Sequence, residues 1–411
     1  MNEIYTGIDL GTNSIKVVVC LKDKDKFQVL AAVSSKARGI KNGQILDTRS
    51  AVSSVKEAMK QVNTMLGIKV TKVIVAVPPE NCSMSIVVGS CDVVDYENIT
   101  GEDVRNVVKD ALMGHIDSEH EVITATPISF TVDEMENIKD PKGMAGKTIE
   151  AKVVVSTLLK EPLYRILEVL KLSGLDTVDI AYTSTGDYFS VKCKEYDEEV
   201  GAIINIGEKS TNISVFNKGI QIKNAVVPIG SVNVDKDLSY VFKIGPEDAR
   251  KIKENFAVCS SSYADNNDYF ECMTIAGEKK ELSQVGVSKV VESRVAEILK
   301  LAKNEIKNLT KREIHYIIIT GGLSELAGFQ YLVEDMFGTE VRICNIPVIG
   351  IRHNKYSSVY GVTKYFDDKI RLRGKKISTM SENEFNYLVT KKEKATSENL
   401  VSKVFGHFFD N

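Results

Sequence analysis

At 411 residues the chain exceeds one comfortable hydrophobic core, so two or more domains are expected. Apolar content of 43% and charged content of 27% are ordinary for a water-soluble globular protein, and 53 basic against 56 acidic residues leave a net charge of −3, with no general pull towards nucleic acid. Seven scattered cysteines without a CxxC pair argue against a disulfide framework or a zinc site, and neither a signal core nor a bilayer-length apolar run occurs, so a cytoplasmic body is expected.

Residues 5–19 form a short apolar run, a tight polar turn and a second apolar run, the pattern of two β-strands joined by a glycine-bearing turn. Asp9 ends the first strand with a carboxylate suited to a hydrated Mg²⁺, and Gly11 lets the backbone approach a ligand closely. Thr12, Asn13 and Ser14 offer N–H and hydroxyl donors and Lys16 adds a positive charge, which together make a candidate phosphate cradle. Taken alone, an ordinary hairpin would read the same way. A third strand follows at 27–34, then a helix over 49–67, where Val52, Val55, Ala58, Met59, Val62 and Leu66 recur at helical spacing. A buried strand at 70–77 is closed by Pro78 and Pro79.

Residues 81–159 have a different character and read as an inserted module. It holds strands at 84–94, 122–132 and 148–159, with a polar loop over 133–146, and a helix opened by Thr100 and Asp103 in a pattern resembling a capping box. His115, Asp117, Glu119, His120 and Glu121 crowd one stretch, but a solvated helix end explains them and no metal is assigned there. A helix at 161–173 ends at Gly174, a strand covers 176–182, a connector covers 183–187 and a helix covers 188–194.

Residues 200–216 then repeat the form of the first unit, with Asn205 in the place of Asp9 and a third strand at 220–228. A strand–turn–strand–turn–strand unit occurring twice implies two similar domains facing each other, with a phosphate chain clamped between the two turns. Helices are expected at 232–242 and 245–258, the second carrying Pro246, Glu247 and Asp248 at the positive end of its dipole. Strands near 269–275 precede a long helix at 284–308 with a clear apolar stripe. A buried strand at 314–320 runs into Gly321 and Gly322, which leave room for a flat ring or a phosphate, and a helix starts at Gly328. From Lys369 the core pattern lapses into a basic stretch and a polar linker. In 397–411, Leu400, Val401, Val404, Phe405, Phe408 and Phe409 share one helical face; such an amphipathic helix suits a membrane interface, where stable attachment needs many copies side by side, the alternative being docking on the protein's own body or a partner.

The two phosphate loops and the Gly-Gly turn, in this order, resemble the actin-like ATPases, a superfamily that includes actin, sugar kinases and heat-shock chaperone ATPases. The chain resembles most closely the FtsA family of bacterial cell-division actin homologues, essentially end to end, through the module at 81–159 and the tail helix. The resemblance implies an α/β fold of duplicated actin/ribonuclease-H-like domains, with an inserted α+β subdomain in place of actin's usual small subdomain. The expected division is 1–80, the first half of domain 1; 81–159, the insertion; 160–198, the rest of domain 1; and 199–368, domain 2, with its small subdomain at about 232–308. A linker at 369–396 and the membrane helix at 397–411 complete it.

It further implies an ATP-binding protein, with Mg²⁺, that polymerises on the inner face of the cell membrane at the division septum, tethers FtsZ filaments and recruits later division proteins. By the same resemblance Asp9 is the Mg²⁺-side acid, acting through bound water, and Gly11, Thr12, Asn13, Ser14 and Lys16 form the first phosphate loop. Gly207 and Thr211 belong to the second loop, Gly321, Gly322 and Ser324 flank the adenosine, and Glu247 and Lys253 lie on a helix closing over the nucleoside. Arg294 lies in the helix that helps form the pocket for the FtsZ C-terminal peptide. Two departures stand out: Leu323 replaces a common third glycine, and Asn205 replaces the usual acid. An amide supplies no negative charge to hold Mg²⁺ or orient water, so slow or absent hydrolysis is expected, with Glu208 compensating in part. The alternatives are a type IV pilus assembly protein resembling PilM, which shares the inserted module but normally lacks the amphipathic tail, and a sugar-kinase-like enzyme, which has no use for that tail.

Overall fold

The structure is a computed structural model and describes residues 3–24, 26–41, 43–338, 340–372, 377–380, 384 and 387. The helix expected at 397–411 and most of the linker before it lie outside the described residues.

Two five-stranded sheets form the body. In the first, β1 (Glu3–Leu10), β2 (Ser14–Asp23) and β3 (Lys26–Lys36) make an antiparallel meander. A ribbon of β4 (Ile40–Lys41) and β5 (Gln44–Ile45) leads into α1 (Thr48–Leu66), which starts at an Asp47 N-cap and stops at left-handed Gly67. β6 (Lys72–Val77) then pairs parallel with β1 on the side away from β2. β1 is buried along nearly its whole length because α1 packs on the other strands' outer face and the C-terminal helix covers the opposite face.

The insertion follows: β7 (Cys82–Asp92), α2 (Gly101–Leu112), β8 (His120–Val132), β9 (Met135–Ile138) and β10 (Thr148–Leu159), in the order β7-β10-β8-β9. α2 buries Val107 and Ala111 against this sheet, and the Thr100–Asp103 capping box forms as a reciprocal pair. Residues 135–138 were expected in a loop but form β9. The Asp133 carboxylate accepts from the Lys147 and Thr148 N–H groups and fixes the hairpin corner, a tertiary anchor that four residues set in a polar stretch do not announce.

α3 (Lys160–Leu172) and β11 (Asp176–Tyr182) complete the first sheet, whose order is β11-β6-β1-β2-β3. The next helix departs from expectation. α4 spans Thr183–Val191, so 183–187 is helical rather than a connector, and a separate short α5 covers Lys194–Glu198. The helix begins early because Gly186 is a contact surface: α10 (Ser357–Leu372) crosses α4 so closely that a Cβ on Gly361 would fall on the Gly186 carbonyl oxygen.

The second sheet repeats the first. β12 (Val200–Ile206), β13 (Thr211–Asn217) and β14 (Ile220–Val227) form the meander. α6 (Ser231–Phe242), α7 (Pro246–Asn255), the hairpin β15 (Tyr269–Met273) and β16 (Lys279–Ser283), and the long α8 (Gln284–Leu309) follow. β17 (Tyr316–Thr320) pairs parallel with β12, and α9 (Phe329–Phe337) leads to β18 (Val341–Ile343), giving the order β14-β13-β12-β17-β18. Both sheets therefore place a meander and two parallel strands around one central strand, β1 or β12. Between them α4 and α10 share a core in which Val18 and Cys20 of one sheet and Ile203, Phe216 and Ile318 of the other meet Tyr188 and Tyr360.

Ordered structure continues past the linker start expected at 369. Lys369 Nζ lies 2.8 Å and 2.9 Å from the Asp179 carboxylate oxygens, and Ile370 is buried, so residues 369–372 are the last turn of α10. Farther on, the Thr379 N–H donates to the Ile4 carbonyl at 2.8 Å and Met380 enters the first core.

Candidate functional site

A cavity of about 470 Å³ opens where β1, β12 and β17 end, the position at which α/β sheets present loops to ligands. The two repeated turns face each other across it. In the first, Asp9 Oδ2 accepts from Lys16 Nζ at 2.8 Å, and the Thr12 hydroxyl accepts from the Gly43 N–H at 3.2 Å, which ties the loop to the β4–β5 ribbon. In the second, the Gly207 N–H donates to the Ser210 carbonyl at 3.0 Å, and Ser231 and Val232 N–H groups donate to the Gly207 and Glu208 carbonyls at 2.9 Å. The start of α6 is thereby pinned to the loop.

The halves differ in charge. Asn205 holds the position that corresponds to Asp9, and its Nδ2 donates to Asp187 Oδ2 at 2.6 Å. Asp187 is buried on α4, and its Oδ1 accepts from Ser357 Oγ at 2.6 Å and Ser358 Oγ at 2.7 Å. Burial pushes the Asp187 carboxyl up to about 6 against the pull of these hydrogen bonds, and the charge on Asp9 acts in the same direction as burial. Glu208 does not stand free in the acid's place: it pairs with Arg250 at 2.7 Å.

Gly321 has φ 96°, open to glycine, and any Cβ there would strike the Ile206 carbonyl and approach Asn205 Oδ1 to 2.8 Å. From α7, Arg250, Lys253 and Glu254 reach the cavity, with Lys253 Nζ 2.7 Å from Asp235 Oδ1 in a nearly dry pair. His353, Asn354 and Lys355 close the far side.

Of the residues expected at the site, Asp9, Gly11, Thr12, Asn13, Ser14, Lys16, Asn205, Gly207, Glu208, Lys253, Gly321 and Gly322 line the cavity. Three do not. Thr211 is buried, its hydroxyl donating to the Ile229 carbonyl at 2.8 Å, because the first residue of β13 already points into the core. Ser324 is buried beneath the Gly-Gly turn, donating to the Gly321 carbonyl and accepting from Asn354 Nδ2, so it supports the turn from behind. Glu247 sits in a surface groove between α6 and α7, because α7 reaches the cavity only from Arg250 onward. Arg294 lies elsewhere, bridging α8 to α6 through both Asp237 oxygens at 2.5 Å and 3.0 Å.

Sequence reasoning missed Asp187, Glu80, Arg250 and Lys355. Glu80 spans the cleft, where its Oε1 accepts from Ser210 Oγ at 3.3 Å and its Oε2 is buried without a hydrogen-bond partner. Burial raises its carboxyl, and Asp9 adds to the effect. Lys355 is held below the usual amine range by burial and by the like charge of Lys16. Two amines crowding one cavity, beside loops of N–H donors, form a set completed by an anion. Among the described residues no group of three or more His, Cys, Asp and Glu is placed to hold a metal ion alone. Mg²⁺ fits here only as a shared ion, most of its ligands being phosphate oxygens and water, with Asp9 and the orphaned Glu80 oxygen as nearby acceptors.

Comparison with known proteins agrees with the fold. A family model described as "Cell division protein FtsA" matches residues 202–361, and one described as "SHS2 domain inserted in FTSA" matches residues 80–157. The chain is 27% identical over 379 residues to the cell division protein FtsA of Bacillus subtilis, covering 92% of this chain and 86% of that one. Among solved structures, the PilM-PilN type IV pilus biogenesis complex aligns with a TM-score of 0.60 at 14% identity, covering 87% of this chain and 97% of that one. MreB5 of Spiroplasma citri bound to ADP aligns with a TM-score of 0.56 at 13% identity, covering 90% and 98%. At such identities the two structures speak for the fold alone, which is that of the actin-like ATPases.

Proposed function

Because the chain belongs to the FtsA family of bacterial cell division proteins, we propose that it is an ATP-binding, membrane-associated actin-like protein that polymerises and tethers FtsZ filaments to the cytoplasmic membrane at the septum. On this reading it also recruits later division proteins. The observation that carries the nucleotide part is the facing of the two repeated loops across one cavity, with Lys16 and Lys355 both turned into it. The loop N–H groups and hydroxyls hold the phosphates, and Lys16 offsets their charge. The bare Gly321–Gly322 backbone, with Arg250 and Lys253 opposite, accommodates the nucleoside. Mg²⁺, when bound with the nucleotide, supplies further charge neutralisation, and Asp9 is placed to accept from one of its waters. Hydrolysis is slow or absent, since Asn205 offers no carboxylate to the cavity and Glu208 is engaged by Arg250. Attachment to lipid is assigned to the apolar face of 397–411, and recognition of an acidic FtsZ tail to the Arg294 region, where Arg294 would exchange Asp237 for the peptide carboxylate.

Two measurements test this. Full-length protein should pellet with anionic liposomes, and protein ending at residue 396 should stay in the supernatant; equal pelleting would remove the membrane assignment. Phosphate release from ATP should fall far below ordinary enzymatic turnover, on the order of 10 per second, and robust turnover by the wild type would sink the hydrolysis claim.

A further inference from the structure

We propose that the acid of the second phosphate loop has been relocated to Asp187 on α4, which fixes the Asn205 amide so that its oxygen faces the cavity. The inference rests on the nucleotide reading of the cleft and adds a positioning residue to it.

An ionised carboxylate only accepts hydrogen bonds, whereas an amide has one accepting and one donating end. Facing Asp187, Asn205 must therefore turn its Nδ2 inward, as the 2.6 Å contact shows. Its Oδ1 is left on the other side, next to Gly321, where only the absence of a Cβ gives it room. Asp187 itself cannot turn away: Ser357 and Ser358 both donate to its Oδ1, and Thr320 Oγ1 donates to Ser357 Oγ at 2.9 Å behind them. Two elements, β12 and α10, thus bond one carboxylate of α4, with β17 behind them; that carboxylate does not line the cavity, while the residue it orients does. A fixed acceptor in the phosphate half of the cleft, backed by a negative charge, is placed to receive a hydrogen bond from a water on the nucleotide's Mg²⁺. A second carboxylate at position 205 would instead meet Asp187 at the same short distance, and the two could not both ionise.

The couple predicts how single and double exchanges behave. Without nucleotide at pH 7.5, Asn205→Asp should lower Tm by several degrees, and adding Asp187→Asn should restore most of the loss, since the acid–amide pair is then re-formed in reverse. ATP affinity measured with Mg²⁺ and again with EDTA supplies a readout that a purely structural pair would leave unmoved. Asp187→Asn alone should weaken the Mg²⁺-dependent part at least fivefold and leave the affinity in EDTA unchanged. The double exchange, with its carboxylate towards the cavity, should recover the lost Mg²⁺ dependence. Additive Tm changes, or a Mg²⁺ dependence indifferent to Asp187→Asn in a protein that binds ATP, would overturn the inference alone. Failure of the wild type to bind ATP in either buffer would overturn the nucleotide reading and the inference with it.

Discussion

Asp187 is a carboxyl group that the fold makes harder to ionise, and this has a sign. Its value near 6 lies above the ordinary value near 4 expected in the unfolded chain. The folded state therefore holds the proton more tightly. The stability this brings is complete below about pH 4 and is lost as pH rises through about 6. Melting curves of Asp187→Asn should lack that part of the fall between pH 4 and 6.5, and an unchanged slope would refute the assignment. The Lys253–Asp235 pair makes a second residue-scale prediction: both side chains are nearly dry, at 4% and 7% exposure, so Lys253→Met strands a buried charge. Chemical denaturation should show a loss of about 3–5 kcal/mol. What could be read from sequence at this scale was local. Asp9, Lys16 and Gly321 signal themselves through their neighbours in the chain, and all three line the cavity. Asp187 and Glu80 stand among unremarkable residues: Glu80 reaches the cleft only through loop approach, and Asp187 meets the cavity-lining Asn205 only through helix crossing. Thr211 and Glu247 show the reverse error, where a motif position was right in sequence and the side chain faces elsewhere.

Elements were legible wherever periodicity ran long. α1 and α8 follow their apolar stripes, and Gly67 and Thr100 end or begin helices through cap chemistry that depends on a few adjacent residues. Thr100→Ala should cost the insertion about 1 kcal/mol, measurable as a lowered denaturation midpoint. The misjudged elements share one physical cause, which is that a distant part of the chain stabilises them. β9 depends on Asp133 gripping 147–148, and the first turn of α4 depends on α10, whose own chain lies some 170 positions away by the separation of the Asp187 and Ser357 partners. A glycine at 186 looks like a break in sequence but is the floor of a helix crossing. Gly361→Ala should destabilise by about 1–3 kcal/mol or more through overpacking. A melting temperature equal to the wild type would show that the crossing yields.

At the scale of the whole molecule, the duplicated turn in the sequence corresponds to a duplicated sheet, with β1 and β12 at equivalent places and α4 and α10 sandwiched between the sheets. That arrangement explains why a cavity exists: two central strands end side by side, and neither loop alone encloses a ligand. It also explains the unequal chemistry, since only the first loop keeps its acid on the strand. The central claim is that this paired cleft holds ATP. Isothermal titration of Mg·ATP into the full-length protein tests it most directly, with Lys16→Ala in parallel. Saturable binding at one site per chain, weakened at least tenfold by Lys16→Ala, is the predicted result; no saturable binding, or equal affinity for both proteins, would contradict it.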